Sequence, residues 1–562
     1  MISGASKAIG ARRRLDTAPA LAARLARRLE GARPLYVVGA FVLAQWLLTL
    51  GVALDVRHNG WIWYQGGDQV WFYTTSWLLA HGQLSSTLVG YGWSVILMPF
   101  AVVGGPDLLQ AMPAIVLLNV LVLMPVAMAA MYGIGERLGG RLFGYWVLLL
   151  WVVVPLVSIK YTNAGFHQRF TELSLPQALG LTPLSDFPSL VALAGGAYFV
   201  IRTVQRFTWT DALLAGGIVG FALGIKPSNA LFLPGLGLAL VVARRRRALG
   251  AIVLALLPAV LVLTFWKWRG LGYLPILHAR GEARLALGAA GGIPLAGLSL
   301  QKYLHFNWGL LQHNLDTIRE HFWSARVFEW TVVAGVVALA RKALWVAALF
   351  GGWFLAFALV KGSDPLGKIQ DASLLRMLIP AIPAFVLLLA TLPLLVPGAR
   401  ARLPEPRPPR EWGSPRTRGT VLGAAALLFL VVPTALAAAA HRLPDGTPKI
   451  VNALVDPIPT DAAFPLHASA HDGRVRLSWQ RAHVAAGKVF YTVLRGSDCS
   501  EPVSLDNCQT KEALTTTGTS LVDAPPASGR FVYVVGISAN WQNDSHGGDP
   551  YLASPPVPVT LP

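Results

Sequence analysis

N-G-W-I-W-Y-Q-G-G-D-Q-V-W-F-Y-T-T-S-W-L-L-A-H-G, Asn59 to Gly82, is the stretch around which the chain is organised. It follows an apolar run over 34–54 that is long enough for a first membrane span. It holds one carboxylate, Asp68, behind the pair Gly66-Gly67 and among Trp61, Trp63, Tyr64, Trp71, Phe72, Tyr73 and Trp77. From Val70 the apolar spacing predicts a short helix at the membrane surface, ended by Gly82. An interfacial aromatic belt with an incidental acid is one reading of this stretch. The other is a catalytic base held at the lip of the bilayer beside a lipid-borne substrate.

Working outward, composition fixes the class. The 562 residues are 54% hydrophobic and only 13% charged, with a mean hydropathy of +0.52, which is too apolar for a soluble protein of this size and reads as polytopic. The net charge of +19 gathers at Arg12–Arg14, Arg24–Arg28, Arg244–Arg247 and Arg400–Arg418, each beside a span. Such an excess marks cytoplasmic loops and lipid headgroups rather than nucleic-acid binding.

Residues 1–33 form a basic cytoplasmic tail, and 34–440 a multi-span all-α membrane domain. The first span is too long, and too far from a small-residue cleavage site, for a removed signal peptide. Residues 87–104 are short and rich in Gly and Pro, so a surface or re-entrant helix is expected there. Further spans are expected at 110–133, 143–159, 187–204, 211–225, 229–243, 249–267, 328–341, 343–360, 373–396 and 419–440, about eleven in all with the first. With the N-terminus in the cytoplasm, the basic loops at 135–141, 202–206, 243–247, 341–342 and 397–418 all fall inside. The external loops are then 55–109, 160–186 and 268–327, and the odd number of crossings sends the C-terminus out of the cytoplasm. A plasma-membrane protein with an extracytoplasmic C-terminal domain is the expectation.

Residues 441–459 read as a tether, and 460–562 change character. Alternating runs V-R-L-S-W (475–479), V-F-Y-T-V-L-R (489–495) and R-F-V-Y-V-V-G-I-S-A (530–539) are separated by turn residues, as in an all-β sandwich. The pattern resembles a fibronectin type III domain, with Trp479 as the early core tryptophan and Tyr533 in the late strand. The chain's two cysteines, Cys499 and Cys508, lie in this exported part and read as a disulfide closing a short loop.

Chemistry-bearing residues gather at external span ends. S-D-F-P places Asp186 where a span opens, after a polar loop holding His167, Arg169 and Glu172. A-L-G-I-K-P-S-N puts Lys226 at a break between spans, and D-A-S-L-L-R-M-L-I-P-A-I-P puts Arg376 one turn into a late span. Each has a structural reading: Lys226 and Arg376 as cations snorkelling to headgroups, Asp186 as a helix cap. Ionisable groups at membrane depth are costly and point to function by default. His305, His313 and His321, spaced by eight in the loop 268–327, are candidates for acceptor contacts, although the spacing also suits a helix surface stripe, which is the preferred reading.

The ordered set G-G-D-Q (66–69), G-E-R-L-G-G-R-L-F-G (135–144), L-S-D-F-P (184–188), G-F-A-L-G-I-K-P (220–227) and R-M-L-I-P-A-I-P (376–383) resembles the GT-C glycosyltransferases. Within them it is similar to the branch with the protein mannosyltransferases and the aminoarabinose transferases of lipid A. The resemblance spans residues 34–400 and departs from the pattern at Gln69, where many members carry a second acid. The loop before Asp186 is also longer than the pattern. It implies a polyprenyl-phosphate sugar donor, a membrane-lipid environment and an envelope glycan, lipid or protein as acceptor. By the resemblance Asp68 and Asp186 are catalytic, Asp68 as base. Lys226 and Arg376 bind the donor phosphate, and Trp63, Tyr64, Tyr73 and His167 line the substrate. A divalent metal, Mg or Mn, at Asp68 and Asp186 is compatible with this, although two carboxylates are few ligands. A polytopic transporter or flippase, or a non-enzymatic scaffold carrying the sandwich, are the alternatives. Transporters hold their charges at mid-membrane between related halves, and no repeat between halves is seen here.

Overall fold

Helices make up nearly all of the described residues to Ala439, and strands take over from Leu466. The structure is a computed structural model. It describes residues 24, 26–55, 68–84, 89–105, 108–160, 175–271, 306–321, 325–364, 367, 373–396, 398, 413–442, 465–481, 490–499, 508–516, 518–525, 527–538 and 552–562.

In chain order the helices are α1 (Pro34–Asp55), α2 (Asp68–Ala80), α3 (Tyr91–Gly104), α4 (Leu108–Leu118), α5 (Met124–Lys160), α6 (Pro176–Leu179), α7 (Asp186–Gln205), α8 (Trp209–Ile225) and α9 (Leu233–Val242). There follow α10 (Arg246–Leu271), α11 (Trp308–His321), α12 (Ala325–Ala340), α13 (Leu344–Gly362), α14 (Ser373–Leu378), α15 (Ile382–Ala390), α16 (Pro415–Ala426) and α17 (Val432–Ala439).

Among the described residues, seven stretches are long and apolar enough to cross a membrane: 34–54, 111–158, 186–205, 246–271, 344–362, 374–395 and 415–439. The stretch 111–158 is broken inside α5, where Gly139 and Gly140 leave helical geometry and Gly140 takes φ +82, a value that favours glycine. Beyond the break the chain turns back on itself, and the rings of Tyr132 and Tyr145 stack at 5.4 Å. The basic segment 135–141 occupies that turn. The expected spans at 211–225, 229–243 and 328–341 are helices shorter than a straight crossing takes, as is α3.

Lipid supplies no hydrophobic drive between helices, so close backbone approach takes over. Gly216 and Gly220 of α8 face Ile252 and Ala259 of α10, and a Cβ at either glycine would collide with its neighbour. The outermost helices stay lipid-facing: Leu35 of α1 is 78% exposed, and α16 buries no residue. One end of the bundle is basic, with Arg137, Arg202, Arg206, Arg244–Arg247, Arg341 and Lys342 at helix ends and turns. There the buried pair Arg202–Asp211, 2.9 Å apart, ties α7 to α8, and Lys342 donates to the Leu138 carbonyl.

The segments expected to be external differ from the expectation in extent. The loop expected over 268–327 begins later, because α10 runs on to Leu271, and it contains α11. Asn314 of α11 donates to the carbonyls of Gly362 (2.7 Å) and Gly367 (2.8 Å), and Arg319 forms a two-pronged salt bridge with Glu329 at 3.0 Å, so α11 is clamped across α12 and α13. His313 is exposed on it, while His305 and the His321 side chain lie outside the described residues.

Short strands β1 (Gln83–Leu84) and β2 (His441–Arg442) pair in parallel, joining the end of α2 to the start of the tether. The C-terminal strands are β3 (Leu466–His471), β4 (Arg474–Trp479), β5 (Phe490–Cys499), β6 (Cys508–Thr516), β7 (Ser520–Asp523), β8 (Gly529–Ser538), β9 (Leu552–Ala553) and β10 (Val557–Leu561). They form two sheets, β3-β4-β7 and β10-β8-β5-β6 with β9 beside β8. Alternate residues of both point into one shared core that includes Val475, Leu477, Trp479, Tyr491, Val493, Tyr533 and Val535. Buried Arg495 reaches across to Asp523 at 2.8 Å, and the Tyr533 hydroxyl donates to the same carboxylate at 2.7 Å, so these three side chains satisfy one another inside the core. Burial and the Asp523 carboxylate together push the Tyr533 hydroxyl above the ordinary tyrosine range.

Candidate active site

Away from the basic end, three of the singled-out side chains converge. The segment L-S-D-F-P opens α7 with Asp186 in its first turn, where the helix dipole favours a negative charge. Its carboxylate is fully buried. On the neighbouring helix, Pro227 has no N–H with which to continue α8, so the chain leaves the helix at Lys226 and runs through a tight turn (Pro227–Phe232) into α9. Asn229 locks this break by donating to the Ala222 carbonyl at 2.7 Å and the Ser189 hydroxyl of α7 at 2.9 Å. The break thereby aims Lys226 at α7: its Nζ lies 2.6 Å from Asp186 Oδ1.

Arg376 sits on α14, and its Nε lies 3.9 Å from Asp186 Oδ2. That is ion-pair range and too long for a hydrogen bond. Among the described residues Asp186 Oδ2 accepts no hydrogen bond, although it is buried. The Lys226 and Arg376 side chains are each 20% exposed, so the cluster opens on its cationic side. Two cationic side chains thus flank one carboxylate at a partly open edge. Such an arrangement can accept an anion without moving the acid.

The other candidates fall differently. Asp68 begins α2, which packs on α3, with the Ser94 hydroxyl donating to the Phe72 carbonyl at 3.2 Å; the Asp68 side chain is outside the described residues. Trp63, Tyr64 and His167 are outside them too. Tyr73, expected to line the substrate, is instead fully buried, and its hydroxyl donates to the Gly105 carbonyl at 2.7 Å. It is a packing residue, because α2 is covered on most of its surface instead of lying free at the interface. The backbone sets Cys499 and Cys508 directly opposite each other on β5 and β6.

Reading the sequence missed an apolar cavity of about 260 Å³ that shares α14 with the cluster. Leu374, Leu375 and Leu378 of α14 line it, with Leu311 and Ile318 of α11 and Phe354 of α13. So α14 presents leucines to the cavity and Arg376 to Asp186. A buried lysine, Lys267, was also missed; in the run F-W-K-W-R it looks like a span-end cation. Among the described residues no three His, Cys, Asp or Glu side chains gather as a metal would need. The Asp186 carboxylate is matched by two cationic side chains, a poor donor set for Mg or Mn.

Neither a family model nor a curated relative matches the sequence. Among solved structures, the chain is similar to the archaeal oligosaccharyltransferase AglB from Archaeoglobus fulgidus, in complex with an inhibitory peptide and a dolichol-phosphate: 12% identity, TM-score 0.38, covering 73% of this chain and 56% of that one. It is also similar to ArnT from Cupriavidus metallidurans bound to undecaprenyl phosphate: 15% identity, TM-score 0.40, covering 70% and 63%. The chain thus spans 56–63% of the length of these two structures.

Proposed function

We propose that this protein is a membrane glycosyltransferase of GT-C type that moves a sugar from a polyprenyl-phosphate donor to an envelope glycan, lipid or protein. The observation that carries this reading is the Lys226–Asp186–Arg376 cluster, a partly open edge with two cationic side chains that shares α14 with an apolar cavity. An anion joined to a long apolar chain is the ligand class that needs both features side by side.

In the proposed reaction the acceptor hydroxyl oxygen attacks the anomeric carbon while the bond from that carbon to the phosphate oxygen breaks. The hydroxyl proton passes to Asp68 as general base. The departing polyprenyl phosphate gains negative charge, and Lys226 and Arg376 stabilise it where that charge develops. Asp186 holds the two cations in place and keeps them from repelling each other. The cluster lies at the start of α7 and the end of α8, not in mid-helix, which weighs against transport through the bundle.

In this reading the basic end faces the cytoplasm, the cluster faces the outer leaflet, and the β-region is an extracytoplasmic fibronectin type III-like sandwich. A Cys499–Cys508 disulfide closes its β5–β6 loop.

The test is transfer of labelled sugar from a polyprenyl-phosphate donor in membranes carrying the full chain. Wild type should transfer, and Asp68→Asn should lose about a hundredfold or more, the scale of general-base catalysis. A mutant rate equal to wild type would remove Asp68 as the base, and a wild type inert toward every such donor would end the reading.

A further inference from the structure

Lys267 lies near the far end of α10 and is 1% exposed. A buried ammonium is expensive unless polar groups surround it. What lysine adds is a strong donor: its Nζ gives a hydrogen bond to the Val89 carbonyl at 2.8 Å. Val89 precedes Gly90, where the chain crosses the end of α8 so closely that a Cβ on Gly90 would collide with the carbonyls of Gly224 and Ile225. Just after it, the Tyr91 ring packs on Trp266 at 5.5 Å, so the strap is gripped on two sides by α10. The next residue after Ile225 is Lys226, whose Nζ meets Asp186.

We infer that Lys267 is a positioning residue for the donor-phosphate site. By holding the Val89–Gly90 strap down on Gly224–Ile225, it fixes the break from which Lys226 reaches the anion. This rests on the donor reading above, since only a phosphate-binding Lys226 gives the brace a function beyond packing.

The test titrates purified full-length protein with undecaprenyl phosphate, following tryptophan fluorescence, and records the melting temperature of each variant. Lys226→Met should weaken binding about tenfold or more, the worth of one charge-assisted hydrogen bond. Lys267→Met should weaken it by a similar factor without lowering the melting temperature to match, and Lys267→Arg should restore most of the affinity. Gly90→Ala pushes the same strap from its other side and should also weaken binding, so the result does not depend on one variant folding. The double variant Lys226→Met/Lys267→Met should bind no worse than Lys226→Met alone, because the two act through one group.

Lys267→Met that is folded and binds like wild type would overturn the inference while leaving the donor reading intact, provided Lys226→Met still loses affinity. Losses that multiply in the double variant would also overturn it, since Lys267 would then act independently of Lys226. Wild-type protein that binds no undecaprenyl phosphate would overturn both readings together.

Discussion

Asp186, Lys226 and Arg376 come from segments some 40 to 190 residues apart in sequence, on the order of several helices, yet they meet around one carboxylate. Removing the acid should do more than remove a negative charge, because two cations then face each other unscreened. Asp186→Asn is therefore expected to cut transfer by about a hundredfold, as for loss of a preorganised electrostatic partner, and a labelled-sugar assay at matched protein abundance would check it. All three residues were legible in the sequence, since an ionisable side chain at a span end is costly enough to stand out. Their distances were not, because three-dimensional proximity leaves no trace in spacing across separate helices. Lys267 was passed over for a related reason: between two tryptophans at the end of a span it looks like a cation reaching for headgroups, and only the fold turns it inward. Tyr73 erred in the opposite direction, an interfacial aromatic by composition and a core residue by packing.

Among the elements, α1 and α7 were foreseen to within one residue at each end, and α2 to within two. The expected helix from Val70 to Gly82 is observed as Asp68–Ala80, with Gly82 at φ +70 just beyond its end. The docking of α11 was not legible, because its buried anchor is an asparagine side chain bonded to backbone carbonyls. Asn314→Ala leaves those two buried carbonyls without their donor, at a cost of about 1–3 kcal/mol. Faster amide exchange over 308–321 should report the loosened helix, and unchanged protection there would refute the clamp. Arg319→Ala should matter less, since its partners are solvent-accessible. Among the strands, Tyr533 titrates above the ordinary value of 10.0 because it is buried against Asp523. The folded state then keeps a proton that the unfolded chain releases. Stability of the β-region is complete below about pH 10 and falls as the pH rises beyond it. Tyr533→Phe should flatten that slope in chemical-denaturation curves taken between neutral and strongly alkaline pH, and a slope that survives the substitution would count against the assignment.

At the scale of the molecule, apolar composition and clustered arginines disclosed a multi-span helical region followed by a β-region, and the described elements follow that order. The number of crossings was less legible, since helices such as α8 and α9 are shorter than a straight crossing and hydropathy alone does not say how they are placed. The facing positions of Cys499 and Cys508 predict that thiol labelling of exported protein finds no free cysteine until a reductant is added; two reactive thiols beforehand would rule out the disulfide. The central claim is that the cluster at the end of α8 and the start of α7 seats the phosphate of a lipid-linked sugar donor. A structure of the protein with a bound polyprenyl phosphate tests it most directly. It should show a phosphate oxygen within hydrogen-bond reach of Lys226 Nζ and of the Arg376 guanidinium, with the first prenyl units in the cavity lined by Leu374, Leu375 and Leu378. A phosphate held elsewhere, with that cavity empty and the Lys226–Asp186 pair undisturbed, would contradict it.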